Sequence, residues 1–272
     1  MTDNANGLSQ VRYILAVASG KGGVGKSTTA VNLALALQQE GFKTGILDAD
    51  IYGPSQPLML GVKEGTRPEV IGGNAFAPVE AHGLKTMSLG YLLAEKAPAV
   101  WRGPMATGAL QQMLTQTHWG ELDCLVVDMP PGTGDIQLTL AQKVPVSGAV
   151  IVTTPQDIAL LDAQKGIEMF RKVNIPVLGV VENMAMHTCS NCGHSEHIFG
   201  EGGGERIARD YQTELLGALP LDRTIREQVD GGNPTVIADP DNAISLTYRE
   251  IARKVIDSLQ AGDSAVPEIE IE

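Results

Sequence analysis

Short apolar runs recur along this chain. They are Tyr13–Ala18 (YILAVA), Thr44–Leu47 (TGIL), Cys124–Val127 (CLVV), Ala149–Thr153 (AVIVT), Pro176–Val181 (PVLGVV) and Leu215–Leu219 (LLGAL). Most are continuously apolar rather than alternating, which predicts strands buried on both faces, as in a parallel sheet. Between them the apolar positions change to helical spacing. Ala30, Leu33, Ala34 and Leu37 share one face, and Gly41 ends that helix. Asp157 is placed to cap a helix reaching Lys172, and Ile244, Tyr248, Ile251, Val255 and Leu259 form a stripe near the C-terminus. The alternation predicts an α/β fold, doubly wound around a mostly parallel sheet. One domain is expected over residues 13–260. Segments 1–12 and 261–272, the latter acidic, are expected to be disordered.

The same pattern gathers the polar residues. Ser19, Asp48, Asp128, Thr153, Asn183 and Pro220–Asp222 all stand at the C-terminal ends of predicted strands. In open α/β sheets that edge is where ligands bind, so residues scattered over the chain can converge on one ligand. Gly20–Ser27 reads GKGGVGKS, a match to G-x-x-x-x-G-K-[ST] between a strand and a helix. Gly20, Gly22, Gly23 and Gly25 let the backbone N–H groups, that of Val24 included, turn toward phosphate oxygens, and the helix N-terminus adds its positive end. Lys26 is expected to reach the β- and γ-phosphates of ATP, Ser27 to ligate Mg²⁺, and Thr28 to add a phosphate contact. Lys21 is either a solvated charge or a lysine that reaches the phosphates of a neighbouring subunit.

Two further segments suit that site. LDADIYGPS places Asp48 and Asp50 after the second strand, one to hold Mg²⁺ through water and the other to orient an attacking water. CLVVDMPPGTGD closes an apolar run with Asp128, the Walker B pattern, and continues into a Pro/Gly loop suited to sensing the γ-phosphate. Asn183 can hydrogen-bond a purine edge, with Pro220 and Asp222 flanking the ring; Asn183 can equally be a turn residue.

Composition narrows the class. Lys and Arg number 20 against 32 Asp and Glu, a net charge of −12. That disfavours nucleic acid and anionic lipid as partners. The first ten residues do not look like a signal peptide, and no apolar run is long enough to span a bilayer. Three cysteines are too few for a disulfide scaffold. A cytoplasmic protein with reduced thiols is expected. Cys124 reads as a small buried hydrophobe, whereas Cys189 and Cys192 form a C-x-x-C beyond the fifth predicted strand. Structural zinc, a redox pair, idle thiols and an iron–sulfur site all remain open for them. Zinc would need four ligands, and His194 and His197 stand far closer to the cysteines than in a zinc finger. A [4Fe–4S] cluster commonly takes four thiolates, so two chains related by a two-fold axis would complete it.

The lysine pair in the loop resembles the deviant Walker A motif of the MinD/ParA-type ATPases, in which the first lysine crosses a dimer interface; that role is carried to Lys21. SGKGGVGKST, GILDADIYGPS, WRGPM, VVDMPPGTGDIQLTLAQ, VTTPQDIALLDAQKG and VENM followed by CSNCG together resemble the Mrp/ApbC iron–sulfur cluster carrier ATPases. The resemblance covers roughly Tyr13 to Leu259. It implies a P-loop NTPase of the MinD/ParA type and a homodimer binding a labile [4Fe–4S] cluster on Cys189 and Cys192 of each chain. It also implies slow ATP hydrolysis, cluster transfer to apo iron–sulfur proteins, and a donor scaffold that loads the cluster. It assigns Asp48 to the metal, Asp50 to the water, and Asn183, Pro220 and Asp222 to adenine. Two departures stand out: many relatives carry an additional small N-terminal domain, and many have C-P-x-C where Ser190 stands here. A MinD/ParA-like spatial-organising ATPase and a zinc-bearing metallochaperone ATPase are the alternatives.

Overall fold

The computed structural model describes residues 7–92 and 103–264. Trp101 and Arg102 of the WRGPM motif lie outside them, as do residues 1–6 and 265–272 of the two terminal segments expected to be disordered.

In chain order the strands are β1 Val11–Ala18, β2 Thr44–Asp48, β3 Val70–Ile71, β4 Ala75–Phe76, β5 Val79–Ala81, β6 Leu84–Ser88, β7 Leu122–Asp128, β8 Gly148–Thr153, β9 Val177–Glu182, β10 His187–Thr188, β11 Ser195–Glu196 and β12 Glu214–Ala218. The helices are α1 Lys26–Gln39, α2 Gln56–Met59, α3 Gly103–Gln116, α4 Asp135–Lys143, α5 Asp157–Lys172, α6 Gly203–Asp210, α7 Arg223–Asp230, α8 Thr235–Ala238 and α9 Ala243–Ser264. Eight strands form one sheet in the order β12-β9-β8-β1-β7-β2-β6-β5. All neighbours are parallel except β5, which pairs antiparallel with β6 at one edge. β3–β4 and β10–β11 are separate two-stranded pairs.

The strands are buried on both faces because helices cover both. In β1, Ile14, Ala16 and Ala18 pack toward α3, α4 and α5, while Tyr13, Leu15 and Val17 pack toward α1 and α9. This two-sided burial explains why the strand runs are continuously apolar. The α1–α9 contact is closed at the surface by Glu40, which accepts from Arg249 Nε at 2.6 Å and Arg253 Nε at 2.8 Å.

Several boundaries differ from the sequence expectation. β1 starts at Val11, inside the segment expected to be disordered, because its backbone pairs with β7 from that residue on. α9 continues to Ser264, past the expected start of the tail: Leu259 is anchored in the core and no proline intervenes before Pro267. The N-cap of α5 is Gln156, without a side-chain cap, and Asp157 is the first helical residue; there its charge still faces the helix's positive end. The strands β5 and β6 escaped the pattern, because Leu84–Ser88 interleaves Lys85 and Thr86 with its apolar residues.

Candidate functional site

Parallel pairing sets the site. Asp48 and Asp128 are register partners at the ends of β2 and β7, and Ser88 at the end of β6 partners Asp48. Neighbouring strands stand about 4.8 Å apart, so residues in one register point the same way side by side. Three polar side chains therefore meet at the C-terminal edge, all buried.

Beside them the loop 19–25 wraps from β1 into α1. Gly25 is the N-cap of α1 at φ +82, a left-handed conformation that glycine adopts without steric cost. Gly132 N donates to Ser19 O at 3.0 Å, joining the Pro/Gly loop after β7 to this one. The loop encloses a cavity of about 220 Å³ lined by Lys21, Gly22, Gly23, Gly25, Lys26, Ser27, Thr28, Asp50, Ser55 and Pro131, among others. Thr29 N already bonds Gly25 O, whereas the first N–H groups of a helix have no partner within it and suit an anion.

The charges are interlocked. Lys26 Nζ meets Asp128 Oδ1 at 2.5 Å, both residues buried, and also reaches Ser27 Oγ at 3.1 Å. Gln56 Nε2 donates to Asp128 Oδ2 at 2.9 Å and to Ser27 O at 3.0 Å. Asp48 Oδ2 accepts from Ser55 N, Gln56 N and Ser88 Oγ at 2.9, 3.0 and 3.1 Å, and its Oδ1 from Asp50 N at 3.2 Å. Burial, then the Asp128 carboxylate, push the Asp48 pKa up to about 7; the bonds from Gln56 N, Ser88 and Asp50 N oppose that shift. Asp50 stays at the cavity wall, where Gly53 N donates to its Oδ1 at 3.3 Å. Lys21 lines the cavity and makes no ion pair with any described residue. The side-chain set around Ser27 is rich in hard oxygen donors, a chemistry that fits Mg²⁺. Gln56 and Ser88 were missed by sequence reasoning; neither belongs to a motif, and only the sheet register reveals them.

The predicted residues do not all reach this cavity. Gly20 and Val24 serve the loop's packing: a Cβ on Gly20 would lie 2.0 Å from Asp162 O of α5, and Val24 is buried. Asn183 does not cap its own backbone. Its Nδ2 donates to Val24 O at 2.9 Å, tying the end of β9 to the phosphate loop. Pro220 lines a separate cavity of about 410 Å³ with Met186, Leu219 and Ile244. Asp222 caps α7 by accepting from Thr224 N at 2.7 Å and from Thr224 Oγ1 at 2.6 Å.

Six residues after Asn183 the chain reaches the cysteines. The segment between is held to the end of β12 by Ala185 N to Leu219 O at 2.9 Å and Leu221 N to Met186 O at 2.8 Å. The β10–β11 hairpin then presents a turn in which Cys189 N bonds His194 O at 2.8 Å and Gly193 N bonds Cys189 O at 2.9 Å. Cys189 is half-buried and Cys192 exposed. The N–H groups of Asn191 and then Cys192 lower the Cys189 pKa, whereas burial pushes Cys124 up to about 12. His187 Nδ1 pairs with Leu221 O and His197 Nδ1 with Ala185 O, so both rings are engaged by backbone carbonyls. Among the described residues no three His, Cys, Asp or Glu side chains group to hold a metal ion, so His194 does not complete a zinc site with the two thiols. No described helix is long and apolar enough to cross a membrane.

A family profile described as NUBPL iron-transfer P-loop NTPase, in the ParA group, matches residues 10–256. An iron-sulfur cluster carrier protein of Pseudomonas fragi is 68% identical over 246 residues, covering 90% of this chain and 86% of that protein. A nucleotide-binding protein of Archaeoglobus fulgidus, solved in complex with ADP, superposes with a TM-score of 0.75 at 38% identity, covering 86% of this chain and 91% of that one. The cell division ATPase MinD of Pyrococcus furiosus shares the fold, with a TM-score of 0.67 at 24% identity over 90% of this chain and 98% of its own.

Two outcomes follow from the local geometry. Gly23 and Gly25 both sit at φ +82, but a Cβ on Gly23 meets nothing within 4 Å while one on Gly25 would lie 2.1 Å from Asn183 Nδ2. Gly23→Ala should therefore cost the backbone strain alone, about 1–2 kcal/mol. Gly25→Ala should lower the melting temperature further, and Asn183→Ala should remove the excess; equal drops would refute the contact. The lowered Cys189 pKa means its thiolate forms at lower pH than an ordinary thiol's. Iodoacetamide labelling followed by mass spectrometry across pH should modify Cys189 at lower pH than Cys124, which should stay unlabelled until the protein unfolds.

Proposed function

The chain belongs to the NUBPL-type iron-transfer P-loop NTPase family, and from that premise we propose that it is an iron–sulfur cluster carrier: a homodimer that takes a [4Fe–4S] cluster from a donor scaffold, holds it on Cys189 and Cys192 of both subunits, and delivers it to apo iron–sulfur proteins in the cytoplasm, with ATP bound and slowly hydrolysed at the phosphate loop. The observation that carries this reading is the pairing of two accessible thiols with a phosphate-binding loop on one sheet edge, where one chain offers the cluster no third ligand among the described residues. A symmetric partner doubles the thiolates to the four that such a cluster commonly takes.

In the nucleotide reaction Lys26 leaves Asp128 for the phosphates, and the N–H groups at the start of α1 take phosphate oxygens. Mg²⁺ would be held by Ser27 and, through water, by Asp48 and Asp128, and supplies neutralisation of phosphate charge. Asp50, at the cavity wall, orients the attacking water. Lys21, without an ion-pair partner among the described residues, reaches across the dimer to the partner's phosphates. Asn183, Pro220 and Asp222 remain the proposed adenine contacts. For Asn183 this requires its amide to share or exchange the Val24 carbonyl.

Anaerobic reconstitution with iron and sulfide tests the cargo. The wild-type protein should acquire the broad visible absorption of a thiolate-bound cluster, at one cluster per dimer, and Cys189→Ala and Cys192→Ala should each lose it. Full cluster content in either variant would sink the assignment; stoichiometric zinc in protein purified without oxygen would favour the metallochaperone alternative.

The nucleotide roles separate by variant. Asp50→Asn should slow hydrolysis while sparing ATP affinity, and unchanged turnover refutes its role. Lys26→Ala should abolish ATP binding and also destabilise the free protein, because losing one partner of a buried ion pair costs about 3–5 kcal/mol. Thermal unfolding without nucleotide reads the second effect alone.

A further inference from the structure

The loop after β2 carries two buried side-chain oxygens that no described residue bonds. Ser55 is the N-cap of α2, where a serine hydroxyl ordinarily accepts from an N–H of the first turn. Here it makes no such bond. Its Oγ is sealed from solvent without a hydrogen-bond partner among the described residues, although Ser55 lines the phosphate cavity beside Lys26, Ser27 and Asp50.

Gln56 follows, and its side chain is 1% exposed. The orientation of its amide is decided by its neighbours. Nε2 faces two acceptors, Ser27 O and Asp128 Oδ2, and a flipped amide would set oxygen against both. Oε1 is left without a partner among the described residues. It shares a carbon with Nε2, so it lies one amide's width from groups that bond Ser27 and Asp128.

A buried acceptor without a donor is unfavourable, and two in consecutive residues, the first lining the ligand cavity and the second bonded to Ser27 of its wall, indicate a donor that arrives with the ligand. The two strand-end carboxylates, Asp48 and Asp128, already accept bonds in the free protein. Both oxygens of Asp128 accept bonds, from Lys26 and Gln56, and Asp48 Oδ2 accepts three. Two of those three come from the backbone N–H groups of Ser55 and Gln56, so Asp48 fixes the very segment that presents the unused oxygens.

We propose that Ser55 Oγ and Gln56 Oε1 accept hydrogen bonds from water molecules carried by the divalent cation of the nucleotide complex, the loop after β2 shifting to admit them. The inference rests on the nucleotide reading above and adds two positioning residues to it. Mg²⁺ keeps several of its waters when bound, and each brings O–H donors that need acceptors. The loop after β2 thereby senses the hydrated cation as well as the phosphates, and Asp50 in the same loop is held in place when the cation is present.

The test is Mn²⁺ binding to the ADP complex, followed by electron paramagnetic resonance, alongside affinity for metal-free ADP and thermal unfolding. Ser55→Ala deletes an oxygen that bonds no described residue of the free protein, so its unfolding temperature should stay near wild type. Its Mn²⁺ affinity should fall about tenfold, in the range typical for losing an outer partner of a metal site, and by more than its affinity for metal-free ADP. Gln56→Met keeps the length but also breaks the bonds to Ser27 and Asp128. It should lower the unfolding temperature, and again weaken Mn²⁺ binding more than metal-free ADP binding. Wild-type Mn²⁺ affinity in Ser55→Ala, or losses in Gln56→Met that are equal with and without metal, overturn the proposal. A wild-type protein that takes up neither ADP nor Mn²⁺ overturns the nucleotide reading itself.

Discussion

Lys26 and Asp128 bury opposite charges 2.5 Å apart at the centre of the sheet's C-terminal edge. Neither charge is tolerable there without the other, because desolvating an unpaired ion is far costlier than desolvating a pair. That constraint organises what surrounds it. The phosphate loop must close over β7 for the lysine to reach the aspartate. Gln56 must enter the same pocket to satisfy the second carboxylate oxygen, and it can do so only because Asp48, the register partner of Asp128, grips the backbone of Ser55 and Gln56. The nucleotide loop, the Walker B strand and the loop carrying Asp50 are one hydrogen-bonded unit. A triphosphate that draws Lys26 away disturbs all three parts together.

The cysteine hairpin is connected to this unit by a short covalent and hydrogen-bonded route. Asn183 bonds the Val24 carbonyl inside the phosphate loop, and Met184, at φ 56, turns the chain away from β9. Ala185, Met186 and His187 are then bonded to the end of β12 before Cys189 is reached. Loops usually gain freedom with distance from the sheet. Here three consecutive attachments hold the stem, and the exposed turn 189–193 is what remains to meet a second surface. The thiols are presented by a braced arm rather than by a slack loop.

Six strands of the main sheet, the helices α1, α5 and α9 and the phosphate loop were legible along the chain because each depends on local order: continuous apolar runs, helical spacing, a glycine pattern between strand and helix. β5 and β6 were not, since Lys85 and Thr86 break the apolar run near the sheet's edge. The ends of β9 and β12 show a second kind of limit. In the folded chain Asn183 secures Val24 and Asp222 caps α7, two bonds that no motif announces. An amide or carboxylate at a strand end satisfies its hydrogen bonds with whatever donor or acceptor lies nearest, and sequence does not say which that is.

By itself the sequence determined the α/β class, the order of its principal elements, the phosphate loop and the family, because motif spacing and hydrophobic period are properties of neighbouring residues. Only the tertiary structure decided that Asp48 and Asp128 share a register, that Gln56 bridges Ser27 and Asp128, and that Ser55 and Gln56 each hold a buried oxygen without a partner among the described residues. Those are relations between residues up to about a hundred positions apart. They arise when parallel strands bring distant ends to one edge, where burial drives polar atoms to pair with one another.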